Sequence, residues 1–187
     1  MNRLKIRPDG YILLALMLLI LPFQWLVSFV IAVTIHEIGH IFAIFLCGGK
    51  ITAFSIGIFG ANIRFDGLSV KKELICAISG PAASLLLLLV SRLFPHLAVC
   101  AFFHCVYNLL PIYPLDGGRA VACLAMLIAP KYAQNITNLI SILCKTLILL
   151  GCIYAVFVLR LGIWPFAIGA ITIFIKKPCN ALSLGVQ

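Results

Sequence analysis

His36-Glu37-Ile38-Gly39-His40 is the first stretch of this sequence whose residue types and spacing point to chemistry. On a helix, positions i and i+4 lie one turn apart on the same face, so the two imidazoles can reach a single tetrahedral zinc ion. Glu37 then stands beside the metal, placed to take a proton from an activated water and pass it to a leaving amine. A catalytic zinc takes three protein ligands and leaves the fourth position to water, so a third ligand has to come from elsewhere.

Asp116 is the candidate for that ligand. It is the one further acid in an apolar region and lies in Asn108-Leu109-Leu110-Pro111-Ile112-Tyr113-Pro114-Leu115-Asp116-Gly117-Gly118. Pro111 and Pro114 remove backbone donors and interrupt a helix, while Gly117 and Gly118 allow close backbone approach. A carboxylate can project from such a segment toward another helix, and irregular backbone at membrane depth has to line a cavity. The other reading of Asp116, compatible with the first, is a cap on a helix from Gly117 to about Ala129.

The elements that must position these groups are membrane helices. The chain has 187 residues, is 64% hydrophobic and only 10% charged, and its mean hydropathy is +1.19. Such a surface cannot be solvated as a soluble globule. At about 20 apolar residues per span there is room for roughly six. The apolar runs place them at about 9–23, 26–47, 73–94, a broken 97–129, 137–159 and a short 162–175. A tight turn is expected over Pro22 to Trp25, and Gly48 and Gly49 end the second span. No small-residue cleavage site follows the first run, so a removable signal peptide is not expected.

Between spans two and three, Thr52 to Phe65 alternates apolar and small or polar residues around Gly60-Ala61-Asn62, a hairpin pattern. The expected fold is therefore an all-α polytopic membrane protein with about six transmembrane helices and a small membrane-associated β-hairpin, residues 1–187 forming one domain.

A net charge of +9 would suggest nucleic acid in a soluble protein. Here it reads as topology instead, and nucleic acid is not an expected partner. With both termini cytoplasmic, every Lys and Arg falls inside except Arg92 and Arg160, which are outside, and Lys145, which lies within the fifth span. The eight cysteines show no CxxC pair and no secreted-type framework, so they read as packing residues of membrane helices.

Placing His36, Glu37 and His40 inside a span costs about 2.5–3.5 kcal/mol per ionisable group, which makes function the default explanation. A hydrogen-bonded polar cluster without metal is the plainer alternative. Counting at 1.5 Å per residue, His40 and Asp116 lie about 10 and 20 Å from the inner ends of their helices, both in the cytoplasmic half of the bilayer.

Other polar groups are weighed against these. Asn108 can donate to a tetrahedral oxyanion or hydrogen-bond between helices. Cys100 and His104 also stand at i and i+4 but lack a third partner, so His104 is expected to bond Asn108 one turn on, and His96 to lie in a loop. Gly80 and Pro81 let the third helix pack closely.

Together, HEIGH in the second span, SGPAAS from Ser79 to Ser84 and NLLPIYPLDGG from Asn108 to Gly118 resemble the site-2 proteases, a family of intramembrane zinc metalloproteases. The layout is most similar to bacterial sporulation members of that family. The resemblance implies zinc held by His36, His40 and Asp116, catalysis by Glu37, and a substrate-contacting or oxyanion-stabilising role for Asn108. It also implies a multi-pass protein of a bacterial cell membrane. Its partners would be a membrane-tethered protein substrate such as a sigma-factor precursor, the lipid bilayer, and a membrane regulatory protein.

Two features depart from the family pattern. Ser84 stands where many members carry Asn, and the CBS domain of the sporulation members is not expected after the last span.

A membrane helix buries its peptide carbonyls in its own ladder, so the substrate has to be held extended near the cut. Strand addition to the edge of the Thr52 to Phe65 hairpin would do this, with Ile56 and Ile58 on the pairing strand. The competing readings are a zinc transporter and a non-catalytic membrane scaffold of the same fold. A transporter needs polar residues along a complete path, and here the intramembrane acids are confined to Glu37 and Asp116.

Overall fold

A computed structural model describes residues 3–6, 11, 15, 17–57, 60–160 and 162. Residues 9, 10, 12–14 and 16 of the first expected span, and nearly all of the sixth at 162–175, lie outside the described residues. Residues 17–20 are helical. The chain divides into two compact units, Met1–Asn108 and Leu109–Gln187.

The first unit begins with strand β1 (Arg3–Ile6). Pro22 then precedes helix α1 (Phe23–Leu46), so the expected turn is confined to residues 21 and 22. Helix α1 is apolar nearly all round, the pattern of a helix surrounded by other helices or lipid. It stops at glycine: Gly48 adopts φ 78°, its N–H bonds the Phe45 carbonyl, and the Gly49 N–H bonds the Ile44 carbonyl at 2.9 Å. This paired closure satisfies two carbonyls that the helix leaves open. Lys72 reaches back to the Cys47 carbonyl at 2.8 Å, putting a cation at the negative end of the helix.

Strands β2 (Lys50–Gly57) and β3 (Gly60–Asp66) form the hairpin, with Gly57 opposite Gly60 and a bulge between Ile51 and Ala53. Gly60, Ala61 and Asn62 therefore belong to β3 and not to the turn; Ile58 lies outside the described residues. The sheet has a third member, since β1 runs parallel to β2 with Ile6 opposite Ile56. The order β1-β2-β3 makes β2 the central strand, which corrects the expectation of an open edge at Ile56. Ile51, Ile63, Phe65 and Leu68 pack on Ala43, Ile44 and Cys76, so the sheet sits against the end of α1.

Helix α2 (Val70–Leu86) continues as a 3₁₀ turn over Leu87–Val90, and α3 covers Pro95–Asn108. His96 lies in the first turn of α3, not in a loop, with its ring edge-on to Trp25 at 4.7 Å. Both α2 and α3 pack against α1. The buried positions of α1 (Ala32, His36, His40, Ala43) recur every three or four residues on one face. Small residues line these contacts, as expected where lipid removes any hydrophobic drive and close van der Waals packing must serve instead. A side-chain carbon added at Gly39 would lie 2.7 Å from Ala83 Cβ and 2.8 Å from the Ser79 carbonyl.

In the second unit, the bent segment 109–115 leads into α4 (Asp116–Ile128). A 3₁₀ turn (Pro130–Tyr132) then joins α4 to α5 (Ala133–Phe157), which packs on it. The broken fourth span thus appears as α3 and α4, interrupted where the prolines lie. Among the described residues, three helical stretches are long and apolar enough to cross a membrane: Phe23–Leu46, Val70–Val90 and Pro130–Phe157.

Candidate metal centre

His36 and His40 face α2 from the buried side of α1, with 1% and 5% of their surfaces exposed. Their Nε2 atoms are 3.2 Å apart and their rings meet edge to face. Two ligand nitrogens on a tetrahedral zinc, each bonded at 2.0–2.1 Å, are separated by about 3.3–3.4 Å. The dyad is therefore spaced as two corners of one metal site.

Helix α2 orients both rings. His40 Nδ1 lies 2.7 Å from the Cys76 carbonyl, an oxygen that only accepts, so Nδ1 carries the hydrogen and Nε2 keeps its lone pair. His36 Nδ1 lies 2.9 Å from the Ser84 hydroxyl, which is fully buried. Between these supports, one turn from each, stands Gly80. A carbon added there would come within 2.2 Å of His40 Nε2 and 2.8 Å of His36 Nε2. Glycine thus leaves open the space that the ligand atoms face. Such outer supports fix tautomer and ring angle in metal sites. Sequence reading flagged Ser84 only as a departure from a pattern and Gly80 only as a small packing residue.

Glu37 follows His36 on α1 and is partly buried. At the far end of the unit, the Asn108 amide nitrogen donates to His104 Nε2 at 3.1 Å and to the His104 carbonyl at 3.0 Å. The expected His104–Asn108 bond is present, and both amide hydrogens are occupied by it. The His104 ring also stands edge to face on His36, 4.6 Å between centroids. Cys100 contacts the Trp25 carbonyl through its thiol, at 3.9 Å, and not a metal partner of His104.

Asp116 is the first residue of α4 and is 7% exposed. A carboxylate in the first turn is favoured by the helix dipole, and Arg119 Nη1, one turn on, lies 3.7 Å from its Oδ1. The local backbone is set by contact. A carbon on Gly117 would strike the Leu109 carbonyl oxygen at 2.0 Å, and one on Gly118 the Ile112 carbonyl carbon at 2.4 Å. From α5, the Ser141 hydroxyl donates to the Pro111 carbonyl at 3.2 Å and accepts from the Tyr113 N–H at 3.4 Å.

His36, His40 and Asp116 are each buried, and their side chains are the donor types of a zinc site. Two imidazoles and a carboxylate suit zinc, and three protein donors leave one position for water.

No family model matches the sequence. It is 29% identical to stage IV sporulation protein FB of Bacillus subtilis, over 92% of this chain and 65% of that protein. It is 28% identical to the zinc metalloprotease MJ0392 of Methanocaldococcus jannaschii, over 64% of this chain and 42% of that one. The chain thus spans less than two thirds of the length of either relative. In fold it matches the solved site-2 protease from Methanocaldococcus jannaschii with a TM-score of 0.64 at 21% identity, covering 88% of this chain and 82% of that structure.

Proposed function

We propose, from the premise that this chain is a homologue of site-2 proteases and shares their fold, that it is an intramembrane zinc endopeptidase. It cuts a peptide bond in or next to the membrane segment of a tethered protein. The observation that carries this reading is the buried pair of imidazoles, His36 and His40, whose Nε2 atoms are 3.2 Å apart on the helix that also carries Glu37.

In this reading His36 and His40 bind zinc through Nε2 and Asp116 through its carboxylate. When bound, the metal supplies a Lewis acid that lowers the pKa of water toward about 7 and polarises the scissile carbonyl. Glu37 accepts the proton of the attacking water and delivers it to the leaving amine, a role typically worth about 10²–10⁴ in rate. Asn108 donates to the oxyanion only after giving up one of its two bonds to His104, each worth about 0.5–1.5 kcal/mol.

The substrate has to unwind to be cut, since a helix hides its carbonyls. Its extended segment adds to β3, the outer strand of the hairpin, because β2 is already paired on both sides. The substrate class we favour is a membrane-tethered transcription factor, with a sigma-factor precursor as the leading member, under control of a membrane regulatory protein. Residues 1–187 act as one domain in the cell membrane of a bacterium, with both termini cytoplasmic.

Co-expression of a tethered reporter with the wild type and with Glu37→Gln tests the catalytic assignment. Cleavage should fall at least about 100-fold while zinc content is unchanged. Equal processing by both proteins would remove Glu37 from the reaction.

A further inference from the structure

The two metal-facing histidines have unequal supports. His40 is held by a carbonyl, which permits one tautomer only. His36 is held by the Ser84 hydroxyl, which both donates and accepts.

That difference matters because the two Nε2 atoms face each other at 3.2 Å with His40 Nε2 committed as an acceptor. Two lone pairs at that distance repel unless a hydrogen or a cation lies between them. With both imidazoles neutral and no metal, the hydrogen between them sits on His36 Nε2 and points at His40. His36 Nδ1 is then bare, and the Ser84 hydroxyl donates to it. With metal on both Nε2 atoms, the hydrogen moves to His36 Nδ1 and the same hydroxyl accepts. Only the hydroxyl rotor turns between the two states, and neither imidazole has to swing.

We infer that Ser84 is a positioning residue for the metal, a two-way hydrogen-bond partner that holds His36 in its ligand geometry both before and after zinc binds. The inference rests on the zinc reading above. It adds a third layer to the wall that α2 presents: the Cys76 carbonyl fixes one ring, Gly80 leaves the space, and Ser84 fixes the other ring. Ser84 is wholly buried, so bulk solvent does not reach its hydroxyl.

The test uses the full chain purified in detergent, stripped with a chelator, with zinc affinity measured by competition and the absorption spectrum of the cobalt-loaded protein as a second readout. Ser84→Ala should weaken zinc binding about 10- to 100-fold, the usual loss on removing an outer hydrogen bond to a ligand histidine, and should alter the cobalt spectrum. Ser84→Thr, which keeps the hydroxyl, should restore both. Ser84→Val, matched to threonine in shape, should behave like alanine and carries the comparison if the smaller residue does not fold. Wild-type affinity and spectrum in Ser84→Ala or Ser84→Val would overturn the inference. So would equal losses in the threonine and valine variants, which would make the residue a matter of packing. Failure of the wild type itself to bind zinc would instead remove the metal reading.

Discussion

Helix α1 delivers His36 and His40 by unbroken periodicity, whereas Asp116 comes from a segment that has to stop being helical before α4 can begin. In the first case regular backbone aims the side chains and a neighbouring helix trims their angles. In the second, irregular backbone is braced by its own contacts, with Gly117 and Gly118 tucked under residues 109–113 and Ser141 bridging Pro111 and Tyr113. Both regions depend on glycines that admit no side chain, but for different reasons. At Gly80 the obstacle to a side chain is a pair of ligand atoms; at Gly117 it is backbone. The same substitution should therefore break the metal site in one region and the fold in the other.

The largest effect is expected from Gly80→Ala. Its new carbon would lie against both Nε2 atoms, so bound zinc should fall from one equivalent to a small fraction of one. Helix α2 itself should hold, since alanine favours a helix by about 1 kcal/mol over glycine. Metal analysis beside a thermal melt checks both halves, and a full equivalent of zinc would mean that this space is not where the metal sits. Gly117→Ala comes next. The Leu109 carbonyl cannot rotate away as a side-chain tip can, so overpacking should cost about 1–3 kcal/mol. Hydrogen exchange should accelerate across 109–118 before it does across 36–40; uniform acceleration would erase the distinction between the two regions. The smallest effect belongs to Ser141→Ala, which removes two weak bonds to the bent segment at about 0.5–1.5 kcal/mol each. Faster exchange confined to the Tyr113 amide and its neighbours is the expected reading.

The parts of this arrangement that follow from local pattern were legible in the sequence. The i and i+4 histidines, the glycine stop after α1, the prolines that split the fourth span and the His104–Asn108 bond are all short-range consequences of residue order. The expected ends of α1 and α4 fall within a residue of Leu46 and Ile128. What escaped was long-range. Ser84 meets His36 across 48 positions, and nothing in the serine itself announces a ligand partner. Strand β1 was hidden because Arg3 and Lys5 read as a topology signal, although the same four residues alternate as a strand does. Gly80 looked like any small residue at a helix contact until the two nitrogens were placed against it.

X-ray absorption at the zinc edge of the purified chain tests the central claim most directly, because it reports ligand chemistry without requiring a substrate. A single shell of nitrogen and oxygen at about 2.0–2.1 Å, with imidazole scattering and one zinc per chain, is the result expected from His36, His40 and Asp116. A sulfur shell at about 2.3 Å, drawn from the eight cysteines, or protein that retains no zinc, would contradict it.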